Sequence, residues 1–537
     1  MTSFLQSLKA KFRPPRQFEN LLLFGWTGTL VAVGGGLLVS FLLLGFWWPY
    51  WAIHDMDVWM VYGAWLLNDN LPQEIYDHPG YLSLVLLGGW LSFLHGIGLV
   101  AVDRLSQLPS PADAAAAWTH AVRAGRVLSL IQAILFIGGF AFLIRRLVRD
   151  WRVAGLATFF LGFSGALSLQ VRILRTEIIA AGLVVLCLML LLVAAQSRSS
   201  WWRPLTLGVA ALFCALALQN KVQAILLICA LPPIILMFRT PPADDNDFWR
   251  RSRVASLVLL ATAAVALASA AAAWPLYRLG LFGADTNVLN WRPFIWRYGS
   301  YQPFMMLWLA GSVVLFAWLN RVSWRETVTA LLAALAGGSL GLLALYSYYH
   351  PQNVLAVFHP LEQLAFMVQD NKIFAGDNTA VKALTALFAG IGRVMLIRTF
   401  VFDSSARPGI FLEWYVIAAT IYAYRHGRRE LAAQAAMIMA VVWGFDTIVT
   451  IRGLKMEYFI FTDPLTIIAA ALLTAQQIDL QRHRWAYPVG AALIVAHVVL
   501  SQSEPVKHSI GNDPKMYFCQ PNYYYTRRID SFSFCKQ

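Results

Sequence analysis

The chain has 537 residues, of which 59% are hydrophobic and only 13% are charged. A soluble domain carries about 25% charged residues, so composition excludes a soluble enzyme and makes a bilayer the expected solvent. The formal net charge of +14 does not indicate nucleic acid as a partner, because many Lys and Arg residues stand in short turns between apolar segments, as is typical of loops near anionic membrane lipids.

Apolar stretches recur from Leu21 to Leu500, and a bilayer crossing needs roughly 17 to 25 such residues. Helices are expected, since backbone groups in lipid must be bonded within their own segment. We therefore predict an all-α polytopic membrane protein with about thirteen transmembrane helices and extracytoplasmic juxtamembrane helices. The spans are expected near residues 21–48, 121–144, 153–170, 178–196, 204–220, 222–238, 254–275, 304–319, 327–348, 409–424, 431–450, 458–477 and 486–500.

Alternate loops are basic, which predicts their orientation. With a cytoplasmic N-terminus, all basic loops fall in the cytoplasm, provided that residues 81–102 do not cross the membrane. That stretch is interrupted by Gly88, Gly89, His95 and Gly98, so we interpret it as a juxtamembrane helix. The expected location is the inner (plasma) membrane of a bacterium, with the functional site on the periplasmic side.

Three regions follow from this topology. They are residues 1–240, a catalytic transmembrane module with outer loop 49–120; residues 241–500, a variable transmembrane module with outer loops 276–303 and 349–408; and residues 501–537, an extracytoplasmic tail.

The tail is rich in Tyr, and Cys519 and Cys535 flank its Tyr residues. A disulfide between them is predicted if the tail faces an oxidising compartment. Two free thiols are the alternative.

Two carboxylates stand early in the first outer loop, where Asp55 and Asp57 lie among Trp and Tyr residues. One such group can take a proton from an acceptor hydroxyl, while its neighbour orients it or binds a metal. A divalent ion such as Mg²⁺ or Mn²⁺ is compatible with the pair, although nothing in the sequence requires one. The alternative is that these loop acids are simply solvated and the aromatic residues form an interfacial belt.

Charges also stand at the ends of later spans. Arg172, Arg175 and Glu177 lie in the next outer turn, and charged groups at membrane depth are costly unless paired, which favours a functional interpretation. The two Arg residues suit phosphate oxygens, and Glu177 suits a sugar hydroxyl or a basic neighbour. A turn is also predicted at residues 218–222, which places Lys221 near lipid phosphates. The alternatives are an Arg–Glu pair that closes a helix turn and a snorkelling Lys.

Other outer segments hold basic and aromatic residues, which suit a departing phosphate and sugar rings. Each is weak alone, because a lone His is more often a structural hydrogen-bond partner than a catalyst and a Trp–Arg run is more often an interface anchor. The sequence has no HExxH motif, P-loop or GxSxG elbow, which argues against a metalloprotease, an ATPase or a serine hydrolase. The candidate binding residues in these segments are Arg292, Arg297, His350, Lys455 and Tyr458.

Together these features resemble the GT-C superfamily of membrane glycosyltransferases, which contains the protein O-mannosyltransferases and the lipid A aminoarabinose transferase. The resemblance is clearest over the first 240 residues. Its acidic motif reads Asp-Met-Asp here, where an Asp-Glu pair is commoner in the family. The matching features are Asp55 and Asp57, His78-Pro79-Gly80 before the juxtamembrane helix, Arg175-Thr176-Glu177, Lys221, and the run from Lys455 to Pro464.

The resemblance implies a hexosyl- or pentosyltransferase that takes a sugar from a polyprenyl-phosphate donor. The acceptor would be a glycan, lipid or protein outside the cytoplasm, as in polysaccharide biosynthesis for the cell envelope. We predict Asp57 as the base of an inverting reaction, Asp55 as the second candidate, and His78 among the binding residues. One alternative is a transporter or flippase, for which Glu413 and Asp446 lie inside predicted spans; another is a non-catalytic assembly subunit.

Overall fold

The computed structural model describes most of the chain, and every regular element in that part is a helix, which confirms the all-α prediction. The described residues are 25–50, 57–71, 80–110, 114–197, 200–239, 248–249, 252–277, 301–349, 388–396, 398, 409–449, 456–478 and 486–501.

Sixteen helices of these described ranges are numbered here in chain order, and two short 3-10 helices lie at Leu105–Gln107 and Met456–Phe461. The helices are α1 (Trp26–Leu44), α2 (Asp57–Asn68), α3 (Tyr81–Gly96), α4 (Ala115–Val148), α5 (Trp151–Gly162), α6 (Gly165–Arg172), α7 (Glu177–Ala195), α8 (Arg203–Asn220), α9 (Ala224–Leu236), α10 (Arg253–Ala272), α11 (Tyr301–Leu319), α12 (Trp324–Tyr349), α13 (Gly409–Arg425), α14 (Arg429–Val449), α15 (Asp463–Gln477) and α16 (Ala486–Ser501).

Within the described part of the chain, seven helical segments are long and apolar enough to cross a membrane, or eight if one bent pair is a single span. Three shorter apolar helices accompany them. The protein therefore has the helices of a polytopic membrane protein, but the predicted number of about thirteen spans is not confirmed. The seven are Trp26–Leu44, Ala115–Val148, Glu177–Ala195, Arg253–Ala272, Trp324–Ala344, Arg429–Ile448 and Tyr458–Gln477.

The span predicted over residues 153–170 is not one straight helix, because α5 and α6, which together are long and apolar enough to cross a membrane, meet at a bend of 54°. Ser164 begins the second helix by accepting the N–H of Leu167 on its side-chain oxygen at 3.3 Å. Small residues flank the break, and the Phe163 ring lies against Gly36 on α1. A Ser side chain competes for backbone N–H groups at a helix start, which explains why an apolar run stops here.

Two apolar cores lie among the described helices. The larger is built from α1, α4 to α9 and α13 to α16. The smaller joins α2 and α3 to the start of α4, with Trp65 and Trp118 in contact at a ring distance of 4.5 Å. Helix α3 is a 16-residue apolar helix shorter than the spans, and it packs on α2, α4 and α8. The predicted turn near Lys221 is confirmed, since α8 ends there and α9 begins at Ala224.

Helices α8 and α12 cross at very close range. A Cβ atom at Gly337 would overlap the carbonyl oxygen of Gly208, and one at Gly341 would come within 2.7 Å of the Ala215 side chain. Small residues allow helix backbones to approach in this way, and such contacts drive helix association where lipid removes the hydrophobic driving force. This crossing fixes the position of α8, whose last residues carry Asn220 and Lys221.

Candidate functional site

A fully buried ion pair stands at the start of α2. Asp57 and Arg126 both have 0% side-chain exposure, and their charged groups lie 2.6 Å apart. The other oxygen of Asp57 accepts the backbone N–H of Leu174 at 2.6 Å. Burial raises the pKa of the Asp57 carboxyl, while Arg126 opposes that rise by favouring the charged form. Both oxygens of Asp57 are thus occupied by donors from other parts of the chain. We name Asp57 and Arg126 the Asp57 pair.

Arg126 uses all five of its N–H groups. Nε and Nη2 donate to Asp57 at 3.1 and 2.6 Å, and the remaining bonds go to backbone carbonyls just beyond the end of α1. Arg126 therefore fixes the segment that leads from α1 towards the acidic motif. Sequence reasoning missed this residue, although an Arg inside a long apolar helix is itself a signal of a required partner. The carbonyl acceptors are Gly45 at 3.1 Å, Trp48 at 2.6 Å and Pro49 at 3.2 Å.

A second buried group of charges lies in the turn between α6 and α7. Glu177 is fully buried, with Lys221 Nζ 2.9 Å from one oxygen and Arg175 Nε 3.3 Å from the other. We name Arg175, Glu177 and Lys221 the Glu177 cluster. Two cations face one carboxylate, so these three side chains carry a net charge of +1. Arg175 keeps 11% exposure and Lys221 keeps 2%, so Arg175 is the member most accessible to a ligand.

The same turn joins the two groups of charges. Leu174 donates to Asp57, and Thr176 offers its carbonyl to the side-chain amide of Asn220 at 2.6 Å. Asn220 in turn accepts the backbone N–H of Ser83 on α3 at 2.9 Å. Four helix ends therefore meet at one end of the bundle, namely the starts of α2, α3 and α7 and the end of α8. The structure thus brings together three predicted residues, Arg175, Glu177 and Lys221.

Two other predicted binding residues occupy buried positions. Arg172 ends α6 with 0% exposure, and its Nη2 donates to the Ser40 hydroxyl on α1 at 2.7 Å. Tyr458 lies in the main core, in the 3-10 helix that packs on α6 and α7. Both positions fit a role in joining helices better than contact with a phosphate or a sugar. Arg172 joins α6 to α1 through its bond to Ser40, and Tyr458 joins the 3-10 helix to the main core.

The remaining predicted site residues lie outside the described residues, and so do both cysteines of the predicted disulfide. In the described ranges, no group of three or more His, Cys, Asp or Glu side chains is placed to hold a metal ion. Asp57 itself does not fit a metal ligand, since a divalent cation there would face the Arg126 guanidinium. The predicted residues outside the described ranges are Asp55, His78, Arg292, Arg297, His350, Lys455, Cys519 and Cys535.

An apolar cavity of about 730 Å³ lies between α7, α8, α9, α11 and α12, and none of the three residues of the Glu177 cluster lines it. Gln219, two residues before Lys221, lines one end of it. Its walls are mostly Leu, Ala, Met and Phe side chains, together with Cys187 and Cys214, whose sulfur atoms are 3.5 Å apart. A volume of this size is in the range of ligand pockets, and its apolar walls suit a hydrocarbon ligand.

A third buried group of charges was not predicted as a unit. Arg398 donates to Glu413 and Asp446, and to the Thr462 hydroxyl at 2.7 Å, while Asp463 lies 3.8 Å away. We name these five residues the Arg398 cluster. Glu413 and Asp446 are the two acids on which a transporter interpretation depends, and here both are bound by one guanidinium. Their arrangement ties α13, α14 and α15 together.

No family model matches the chain, and no curated protein matches its sequence. Among solved structures, the chain is similar to the apo form of the oligosaccharyltransferase from Archaeoglobus fulgidus, with a TM-score of 0.43 and 14% identity. The match covers 94% of this chain and 59% of that protein, so this chain spans less than two thirds of its length. At this level the similarity carries no argument about function, which has to come from the residues of this chain.

Proposed function

We propose that the protein is an integral membrane glycosyltransferase that moves a sugar from a polyprenyl-phosphate donor to a hydroxyl group of a glycan, lipid or protein acceptor. The observation that carries this proposal is the Glu177 cluster, a buried and net cationic group at the end of a helix bundle. Cations at membrane depth require an anionic partner, because burying them unpaired is costly. A phosphate headgroup supplies one, since Arg and Lys bind phosphate through charge-assisted bonds.

The neighbouring cavity supports a lipid-borne donor. Its lining reaches Gln219, two residues before Lys221, so a hydrocarbon chain in the cavity would end close to the turn that carries Lys221. A nucleotide sugar has no hydrocarbon part that needs such walls. The combination of a cationic site and an apolar cavity thus favours a phospholipid-type donor over a soluble one.

Asp55 is proposed as the proton acceptor in place of Asp57. Both oxygens of Asp57 already accept bonds from Arg126 and Leu174, and its side chain is fully buried. A general base must be within hydrogen-bond reach of the proton that it abstracts. Asp57 then acts as a positioning residue, which holds the start of α2 two residues from Asp55.

The reaction would proceed in one step. The acceptor oxygen forms a bond to the anomeric carbon of the sugar as the bond from that carbon to the donor phosphate breaks, which inverts the configuration. The hydroxyl proton passes to the Asp55 carboxylate. The phosphate leaves with the bonding electrons, and Arg175 and Lys221 stabilise its developing charge.

The test is transfer of radiolabelled sugar from polyprenyl-phosphate donors to extracted glycan, lipid and protein acceptors by full-length protein in liposomes. Asp55→Asn should abolish transfer without changing the melting temperature. Asp57→Asn should lower both, because Arg126 loses its charged partner. Asp69→Asn is the matched control, since this acid directly follows α2 and bonds Ser106 instead.

Wild-type turnover in the Asp55→Asn variant would remove Asp55 as the base. If the wild-type protein consumes no donor, and labelled lipid changes leaflet instead, the transferase proposal fails and a flippase takes its place.

A further inference from the structure

The apolar cavity is long and has two different ends. One face of α8 lines it throughout, from Arg203 to Gln219. These residues are sixteen positions apart, which corresponds to about 24 Å along a helix. That length approaches the thickness of the hydrocarbon core of a bilayer, about 30 Å. The α8 residues that line the cavity are Arg203, Leu207, Ala210, Ala211, Cys214, Ala215, Leu218 and Gln219.

An ion pair stands at the end of the cavity far from Lys221. Arg203 Nη1 lies 3.3 Å from Glu326, and Arg203 Nη2 donates to the carbonyl of Ser197 at 2.6 Å. The two charged side chains are 11% and 5% exposed, and both line the cavity. A buried ion pair contributes little net stability compared with apolar residues of the same size. Stability alone therefore does not account for an ion pair at the tip of an otherwise apolar cavity.

We propose that the Arg203–Glu326 pair limits the length of the hydrocarbon chain that the cavity accepts. This inference rests on the proposed function, since it takes the occupant to be the isoprenoid chain of the phosphate donor. Seated with its phosphate at Lys221, the chain runs along α8 towards Arg203. A chain longer than the cavity would press methylene groups against two desolvated charges and separate them. Donors would then be selected by chain length as well as by headgroup.

The energetics explain why the selection occurs at the end of the chain. A lipid chain is already in hydrocarbon before it binds, so each methylene gains only packing contacts on entering the cavity. Affinity therefore depends weakly on length until the ion pair is reached. Beyond that point an added isoprene unit clashes with the ion pair, and one misfitting group in a pocket lowers the affinity about tenfold or more.

Two variants change the length of the cavity in opposite directions. Ala211→Trp places a large side chain halfway along α8 and should shorten the accepted chain. Arg203→Leu combined with Glu326→Leu removes both charges and should lengthen it, at little cost in stability because both partners are replaced.

Each variant has a matched control. Leu205→Trp adds an indole on the exposed side of α8, where Leu205 is 65% exposed. Arg239→Leu combined with Glu430→Leu removes an ion pair with side-chain exposures of 84% and 70%, neither member of which lines the cavity.

The measurement is binding of synthetic polyprenyl phosphates of graded isoprene number to full-length protein in nanodiscs, followed by native mass spectrometry. Wild-type affinity should fall about tenfold beyond a limiting length. That limit should move to shorter chains in Ala211→Trp and to longer chains in the Arg203/Glu326 variant, with short-chain binding unchanged and both controls like wild type.

The same length dependence in every variant would overturn the inference, as would equal binding of all lengths by the wild-type protein. If sugar transfer still proceeds in that case, the proposed function stands alone. If no polyprenyl phosphate of any length binds and no donor is used, the proposed function fails together with the inference.

Discussion

Lys221→Met is the substitution that tests the Glu177 cluster most directly. The ammonium of Lys221 lies 2.9 Å from Glu177, and both side chains are almost completely buried. Methionine keeps an unbranched side chain of similar length but has no charge. Glu177 is then left with Arg175 as its ionic partner within the cluster, at 3.3 Å. The variant thus removes one cation while the fold around it stays filled.

The expected loss follows from the burial. Removing one partner of a buried ion pair costs about 3–5 kcal/mol, because an uncompensated charge remains. Arg175 still neutralises Glu177, so we expect the lower end, about 3 kcal/mol. Adding Glu177→Gln removes the carboxylate as well, and replacement of both members of the Lys221–Glu177 pair is close to neutral; Arg175, which keeps 11% exposure, stays partly solvated. The double variant should therefore recover most of the stability, and its cluster has the same net charge of +1 as the wild type.

Thermal unfolding and polyprenyl-phosphate binding are measured in the same nanodiscs for wild type, Lys221→Met and the double variant. We expect the double variant to melt like wild type but to bind the lipid phosphate weakly, because Lys221 supplies a donor that net charge alone does not replace. Lys221→Arg serves as the control that keeps the cation. Wild-type binding by the double variant would refute the phosphate role of Lys221, and an unchanged melting temperature in Lys221→Met would refute its coupling to Glu177.

Three further outcomes are expected in thermal unfolding. Arg126→Lys should lower the free energy of unfolding by about 3 kcal/mol, because one ammonium cannot bond Asp57 and three carbonyls. Arg123→Lys, on the same helix and over the Trp47 ring, is the control, and equal melting temperatures of the two variants would count against the Asp57 pair. Arg398→Met should destabilise strongly by leaving buried carboxylates without their guanidinium, whereas the exposed Arg393→Met should not. Gly337→Ala should cost about 1–3 kcal/mol by overpacking the α8–α12 crossing, while Gly338→Ala, where the nearest atom to an added Cβ is 4.0 Å away, should be neutral; similar losses in both would exclude close packing as the cause.

The sequence predicts part of the site because some signals are local. Glu177 and Arg175 are two residues apart, and Lys221 interrupts an apolar run, so each is recognisable as a charge at the end of a helix. The contacts of Arg126 and Arg398 are harder to predict, since their partners are distant in the chain. Arg126 and Asp57 are 69 residues apart, and Arg398 and Asp446 are 48 residues apart. Nothing in the spacing of these residues predicts which acid each Arg will contact.

The same limit explains why the bend between α5 and α6 was not predicted. The apolar side chains of residues 153–170 favour one continuous span, and the small residues around Phe163 are common in membrane helices. The break depends on Ser164 capping a new helix and on the fit of Phe163 against Gly36. The spacing of apolar residues reports neither of these contacts, whereas a Ser between two Gly-containing segments is a local signal for the start of a new helix.

The partners of Asp57 are synthesised long after Asp57 itself. Arg126 follows it by 69 residues and Leu174 by 117. A nascent chain that has produced only α1 to α3 therefore presents a carboxylate whose guanidinium and amide do not yet exist. The Asp57 pair and the turn that completes it form only after α6 has left the ribosome. The acidic motif therefore cannot reach its final geometry before residue 174 has been synthesised.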